Sequence, residues 1–595
     1  MFNICSIIML GLIADRRKRE RENNSEKSGK GAIVMLPPVE DYNCYEYLKT
    51  CTKIYKDVDM MQHFGVRYKR SAIFRDINAM SAYFQHELGL KPGDVYTLFM
   101  TTTVQGIICF YALNQIGVIA NIVHPLMSTE FLRETLQDVR AKGVMILDIL
   151  SKDHVQTIND SGLPCLLASS SDYSAGIKRA GTMAGERIAK AVFPKFKNAT
   201  YYRDAVRTLK TCTPCERSGG DIAVYLNGGG TTGKSKTIKL TGTAINELVQ
   251  RVSDLDEIHD PGEEAEIIVL PMFHCFGLCV AIHMALCNSA RIIPMMQFDA
   301  NLFMKLMRKN RVIGFGGIPL MFDKLMRNKH FDGPWLRNIR LMFCGGDDVS
   351  DKFLDEFNSY FEKWGAVGRL RQGYGLTEIG SVCCTNSNTD YRPGSIGKAL
   401  RGVRVEIWDD DHKQVPPGVV GEICVAGPTI MAGYYTQDGP EDLGLYTDEE
   451  GEKWVLSGDL GYQDEDGCFF FAGRKKRVII IAGYNVYPND IEKKLSELAY
   501  IKDVCAVQGW QGERSIVRLY ASVKEPGDEE ARREEIRRIC EENFSKFYVP
   551  REIVFLRELP QTPLMKVDFM KLTQQRPGDP LYVEPAHSPV SVLPI

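Results

Sequence analysis

The sequence predicts an α/β protein: a large N-terminal domain of α/β subdomains with a β-rich subdomain, followed by a small α+β C-terminal domain. Three observations carry this. Helical and strand patterns alternate from Ala72 to Pro125, the signature of βα units and a mainly parallel sheet. After about Gly394 the chain turns to short strands punctuated by Asp-Gly and Pro-Gly, which read as antiparallel hairpins. From about Val478 to Leu572 a smaller α+β segment carries two helical stretches rich in Glu, Lys and Arg. At 595 residues the chain exceeds what one hydrophobic core supports, so more than one domain is expected.

Each element has its own signal. Helical periodicity begins at "CYEYLKTC" and returns in "FRDINAMSAYFQHELGL". A turn at "KPGD" leads to a strand in "VYTLFM", then a helix, then "GVIANIVHP". Further strands read in "EIIVLPMF", "VIGFGGIP" and "IRLMFCGGD". The hairpin region holds "VRVEIWDDDHKQVPPGVVGEICVAGP" and "GYQDEDGCFFFAGR". The tail after Gln574 is proline-rich and expected to be mobile.

Composition narrows the function classes. With 44% hydrophobic and 25% charged residues the chain is globular, and a formal net charge of −3 gives no global attraction to nucleic acid or to an anionic membrane. Seventeen cysteines, an odd number scattered singly through apolar segments, predict reduced, buried thiols and a cytoplasmic protein. The Cys212-Thr-Pro-Cys215 pair has no second half to complete a zinc site. The opening "MFNICSIIMLGLIADRRKRERENN" has an apolar run too short to span a bilayer, with its charges after the run, so neither a signal peptide nor an integral membrane segment is expected. Residues 1–34 read as a disordered extension upstream of Met35, or as a weak peripheral membrane contact through Arg16 to Arg21. "GIKRAGTMAGERIAKAVFPKFK" reads as a solvated basic helix, with a membrane-surface helix as the alternative.

The stretch "YLNGGGTTGKSKTIKLT" matches the phosphate-loop pattern G-x-x-x-x-G-K-[ST] at Gly228, Gly233, Lys234 and Ser235. That pattern requires a strand, the loop and then a helix whose N-terminal NH groups hold phosphate. Here "KTIKLT" alternates β-branched residues and reads as a second strand before a helix near Thr243, so the loop joins a hairpin. Two residues further on, "GGTTGKSK" resembles the phosphate loop of the acyl-adenylate-forming superfamily, which includes acyl-CoA synthetases, luciferases and peptide-synthetase adenylation domains. In this frame Gly229, Gly230, Thr231, Thr232 and Gly233 form the loop and Lys236 is its lysine; Ser235 and Thr237 depart from the usual proline and glycine.

An ordered series of motifs from about Asn43 to Leu572 carries the same resemblance. "LPMFHCFGL" is similar to the family's Pro-x-x-His segment and implies that His274 faces the acyl site. "FCGGDDVS" resembles the turn beside adenine and acyl chain, with Gly345 and Gly346. "RQGYGLTEIG" matches Gly-Tyr-Gly-x-Thr-Glu: Tyr374 implies adenine stacking, Thr377 a hydroxyl for α-phosphate or carboxylate, and Glu378 the magnesium ligand. Asp459 in "WVLSGDLG" implies the ribose contact, Arg474 a second ribose or phosphate contact, Lys475 to Arg477 the hinge, and Gly483 the thiol channel. "LPQTPLMKVD" places Lys566 as the catalytic lysine, with Met565 where glycine is usual, and Arg477 stands where the hinge usually has aspartate.

The resemblance implies a large AMP-binding domain over 35–474, a hinge at 475–477, a small mobile domain over 478–573 and a flexible tail over 574–595. It implies ATP-dependent activation of a carboxylic acid through acyl-AMP with Mg2+, pyrophosphate release, and transfer to the thiol of CoA. Two readings stay open beside it: loading of a carrier protein, and a degenerate nucleotide- or acyl-binding protein without turnover. His274 stands where amino-acid-activating relatives place an aspartate, and Leu278, Ile379 and Gly380 suit an apolar chain or ring, so a fatty or aryl acid is expected.

Overall fold

A computed structural model of the chain describes residues 36–574 except 151–152, 175–194, 208–210, 216–217, 229–235, 256–259, 347–348, 438–443, 482–483, 512–513 and 562–566. The N-terminal extension, most of the basic segment after Gly176 and the proline-rich tail therefore lie outside the described residues.

Two mainly parallel sheets dominate the large domain. In the first, Ile222–Asn227, Ile119–Val123, Val95–Phe99, Val144–Leu147, Cys165–Ala168 and Ala199–Tyr201 run parallel, and Thr237–Thr241 with Gly433–Tyr434 close one edge antiparallel. In the second, Leu370–Tyr374, Leu341–Cys344, Arg311–Gly317, Glu264–Ile268, Arg291–Pro294 and Asp59–His63 run parallel, with short antiparallel strands at both edges. The sequences explain the burial. "VYTLF" and "IANIV" are near-continuous apolar runs, and every residue of both strands is buried, as in sheets covered on two faces. The helix Val104–Gln115 is buried over its whole length, which "GIICFYAL" foreshadows by lacking a charged face.

The expected helix near residue 74 begins earlier, at Arg70, and runs to Ala82 before continuing as a π-turn through Glu87. The helix at "CYEYLKTC" is Cys44–Thr52, closed at its start by a capping box between Asn43 and Glu46. The hairpin region is a sheet built from Arg404–Trp408, Gly421–Ala426, Tyr446–Thr447, Lys453–Gln463 and Phe469–Arg474. The small domain has the sheet Ile501–Gln511, Arg514–Val523 and Glu552–Leu556, with helices Pro488–Ser496 and Glu529–Asn543 over it. Its apolar clusters, centred on Ile479, Leu495, Leu519 and Ile553 and on Tyr520 and Leu572, draw on no described residue before Ile479.

Among the described residues the sixteen cysteines are free, and fourteen are buried, as apolar thiols scattered through core strands and helices should be. No helix among them is long and apolar enough to cross a membrane.

Candidate active site

The phosphate-loop stem is a hairpin. Ile222–Asn227 and Thr237–Thr241 pair antiparallel, and the amide of Gly228 donates to the carbonyl of Lys236 (2.9 Å), closing the stem. The following helix, Gly242–Ser253, starts only after the second strand, capped by Thr241. Strand, loop and strand is the wrong order for a Walker site, and the reading as a hairpin loop holds. Gly229, Gly230, Thr231, Thr232 and Gly233, with Lys234 and Ser235, lie outside the described residues. Lys236 stands at the loop's end, its ammonium 4.0 Å from the centre of the Tyr434 ring.

Glu378 lies at the root of the same stem. It follows Leu370–Tyr374 in the short turn Thr377–Ile379. The turn is tight because Gly375 lies against the chain: a Cβ there would fall 1.6 Å from the carbonyl oxygen of Ser381. Glu378 Oε1 accepts from the hydroxyl of Tyr434 (3.2 Å), and a Cβ on Gly228 would lie 3.9 Å from it. Among the described residues no three His, Cys, Asp or Glu side chains gather as a metal site. Thr377 is 8% exposed and its Oγ1 lies 3.5 Å from Cys275 Sγ. Burial pushes the Cys275 thiol up to about 11, which keeps it protonated near neutral pH.

Asp459 joins three elements. Its strand Lys453–Gln463 pairs with Phe469–Arg474, placing Asp459 opposite Arg474. One carboxylate oxygen lies 2.8 Å from Arg474 Nε, and the other accepts the Tyr374 hydroxyl (2.8 Å). Asp459 is only 2% exposed. Burial, and then the Asp459 charge, push the Tyr374 hydroxyl far above the usual phenol range, so it stays a donor. Tyr374 is itself buried, its ring 6.1 Å from that of Phe471.

His274 is exposed, on a turn that links the two sheets. Thr102, just past Val95–Phe99, donates to the carbonyl of Leu270 and accepts from the amide of Met272 (both 2.9 Å). The His274 Nδ1 accepts from the amide of Phe276 (3.3 Å). Gly277 lets the following helical stretch, Phe276–Met284, start against this turn, since a Cβ there would lie 2.0 Å from the Pro271 carbonyl oxygen. The Phe276 ring lies over Gly316 and Gly345, 3.2 and 3.3 Å from where their Cβ atoms would be. Gly345 ends the strand Leu341–Cys344, and Gly346 follows with φ +84°. Phe276, Val280, Ala281, Met284 and Phe343, with Glu266 among them, line a mainly apolar cavity of about 10 Å³, the room of one water. Leu278, Ile379 and Gly380 do not line it; Leu278 and Ile379 belong to the main core, and Gly380 faces the carbonyl of Thr429.

The turn Lys475–Arg477 follows the strand Phe469–Arg474, and its cations divide. Lys475 pairs with Asp410 (2.9 Å) and Glu422 (3.0 Å) on the hairpin sheet. Arg477 turns into the small domain, where it grips Glu492, donates to the carbonyl of Ala506 (3.2 Å) and lies 5.1 Å from the ring centre of Phe569. Gly483, Met565 and Lys566 lie outside the described residues.

The structure thus brings Lys236, Thr377, Glu378 and His274 to strand ends of two sheets, where α/β proteins bind ligands, and sets Tyr374, Asp459 and Arg474 beside them. Sequence reasoning missed Tyr434. Its signal was the "GYY" that follows a glycine-rich turn: adjacent tyrosines on a strand face opposite ways, and Tyr435 goes instead to Tyr225, 5.1 Å between ring centres.

The family described as AMP-binding enzyme matches residues 58–435, and the AMP-binding enzyme C-terminal domain matches residues 490–566. Among curated relatives, the long-chain-fatty-acid–CoA ligase of Salmonella typhimurium is 26% identical over 548 residues, covering 88% of this chain and 94% of that protein. The protein of the same name from Bacillus subtilis is 27% identical over 538 residues, covering 88% and 92%. Among solved structures, ATP-bound MatB from Rhodopseudomonas palustris superposes with a TM-score of 0.73 at 20% identity, over 89% of this chain and 98% of that one, a likeness of fold.

Proposed function

Because the chain belongs to the AMP-binding enzyme family, with both its large domain and its C-terminal domain, we propose that it is an AMP-forming acid–thiol ligase. It activates a fatty or aryl carboxylic acid, a fatty acid foremost, and passes the acyl group to CoA. The fatty acid and the CoA acceptor are supported by the names of the curated relatives. The observation that supports the chemistry most is the meeting of Lys236, at the end of the hairpin loop, and Glu378, at the root of its stem, on the one side chain Tyr434, a cation for polyphosphate near a carboxylate for magnesium.

In the first half-reaction the acid's carboxylate attacks the α-phosphorus of MgATP in line and pyrophosphate leaves with its oxygen. The site must then offset negative charge on the phosphates and on the attacking carboxylate, a task of position and electrostatics. We assign Lys236 and the loop Gly229 to Gly233 to the polyphosphate, Glu378 to magnesium, Thr377 to the α-phosphate or carboxylate, and Lys566 to the oxygens at the reacting centre. Asp459, with Arg474, takes the ribose; Tyr374, Gly345 and Gly346 border the adenine, and His274 the acyl group. In the second half-reaction the thiol, arriving past Gly483, attacks the acyl carbon and AMP leaves. We place the large domain at 35–474, the hinge at 475–477 and the small domain at 478–573.

The test is to incubate the protein with ATP, magnesium, CoA and a mixture of fatty and aryl acids and to separate the products. AMP and pyrophosphate that form only with acid, together with a matching acyl-CoA, are expected. ADP with phosphate overturns the reading, adenylate without acyl-CoA moves the acceptor to a carrier protein, and no turnover leaves a binding protein. Lys566→Ala should lose acyl-adenylate formation about 100-fold or more while sparing thioester formation from supplied acyl-adenylate, the loss expected for a positioned charge.

A further inference from the structure

Tyr434 touches both charged groups of the phosphate-loop stem. Its hydroxyl donates to Glu378 Oε1 (3.2 Å) and its ring face meets the Lys236 ammonium at 4.0 Å. The segment that carries it is laced to both partners through the backbone. Met431 donates to the carbonyl of Glu378 (2.8 Å), Ala432 to that of Lys239 (2.9 Å) and Tyr435 to that of Thr237 (2.8 Å). Gly433 and Tyr434 form the edge strand opposite Lys239 and Ile238. The ring edge rests on Gly444, whose φ of +58° and closeness leave no room for a side chain: a Cβ would fall 2.1 Å from Tyr434 Cε2.

Lys236 is exposed and Glu378 half-buried at the rim of one small loop, and opposite charges so placed attract each other. If they met, the lysine would be lost to the polyphosphate and the carboxylate to the metal. A phenol offers each a separate partner, a negative ring face for the cation and an O–H donor for the anion. With Oε1 held by that donor, the other carboxylate oxygen would be left to hold a bound cation. We propose that Tyr434 is a positioning residue that holds Lys236 and Glu378 apart, so that one meets the polyphosphate and the other the magnesium of MgATP. The proposal rests on the reading of the site as an adenylate-forming one.

The test compares wild type, Tyr434→Phe and Tyr434→Leu by calorimetric titration of ATP at a series of free Mg2+ concentrations, and by AMP formation over the same series. Phenylalanine keeps the ring face and drops the donor, so its half-saturating free Mg2+ should rise about fivefold or more, with kcat recovering at saturating Mg2+. Leucine drops both, so its KM for MgATP should rise about tenfold or more at any Mg2+ concentration. A purely structural role would lower kcat and thermal stability together and leave the Mg2+ dependence in place; that outcome, or a Tyr434→Phe protein with wild-type Mg2+ dependence, overturns the proposal. The binding titration needs no turnover, so a wild type that binds MgATP but makes no AMP refutes the proposed function while still deciding the role of Tyr434. If Tyr434→Leu fails to fold, the isosteric phenylalanine variant decides alone.

Discussion

His283 and His63 show how single side chains set the molecule's response to acid. His283 is fully buried, with Nδ1 2.9 Å from the Tyr111 hydroxyl and Nε2 2.9 Å from Asn246 Oδ1. Asn246 donates its amide to the carbonyl of Tyr42, so Oδ1 faces the ring and the proton sits on Nε2. Burial pulls His283 down to about 3 and His63 down to about 4. In the unfolded chain both titrate near 6.5. The unfolded state therefore binds more protons below that pH, and the stability present above it is lost on acidification, continuing to about 4 for His63 and about 3 for His283. Each costs about 1.4 kcal/mol per pH unit in that window. The urea midpoint should fall clearly from pH 7.5 to pH 5; an unchanged midpoint would mean that both rings are charged in the fold. Neither role was legible in the sequence, because a histidine's burial is set by what packs on it from elements far away in the chain.

At the scale of elements, the turn at 475–477 is tied on both sides, to the hairpin sheet by Lys475 and to the small domain by Arg477. Its middle residue, Lys476, is exposed. Arg477 is anchored to the small domain, and if the proposed hinge is at 475–477, rotation should occur at the backbone before it. Arg477→Ala leaves Glu492 part-buried without its guanidinium and should destabilise the small domain by about 3 kcal/mol. It should slow thioester formation more than adenylation, since the first lysine contact with the large domain survives. Separate half-reaction rates check this, and an equal loss in both would show that Arg477 serves only stability. Element identity was largely readable: "KTIKLT" is a strand because its β-branched residues alternate, and "VYTLFM" and "IRLMFC" are strands because they are short apolar runs between turns. Boundaries were less so, as at Arg70, where the Ser71 amide donates to Asp57 Oδ1 (2.8 Å) and the Arg70 guanidinium to the carbonyl of Thr52, partners that lie earlier in the chain than the helix's apolar pattern.

At the scale of the molecule, the apolar clusters of the small domain share no described residue with those built from residues before Ile479. Two cores without shared residues should unfold as two units. Of the five tryptophans, Trp335, Trp364, Trp408 and Trp454 precede residue 475, and Trp510 in the small domain is 58% exposed. Tryptophan fluorescence will therefore follow the large domain, with the buried Trp454–Trp408 pair, 4.6 Å between ring centres, as its main reporter. Far-UV circular dichroism follows both domains. The two urea curves should not coincide; coincident curves would show that the domains unfold as one.

By itself the sequence determined the fold class, the family and the chemical types at the site, because those depend on local pattern: apolar period, turn residues, and glycines, hydroxyls and charges at short spacings. It also ruled on the phosphate loop, since alternation after Ser235 excludes the helix a Walker site needs. Tertiary structure alone decided which of these residues meet. Lys236 and Glu378, 142 residues apart in the chain, both meet Tyr434, 56 residues beyond Glu378, because an edge strand returns to the loop stem. Asp459, on the hairpin sheet, finds Tyr374, on the second large sheet, across 85 residues. Contacts of that kind come from strand order and register, which depend on the summed packing of whole sheets and leave no mark at any one position.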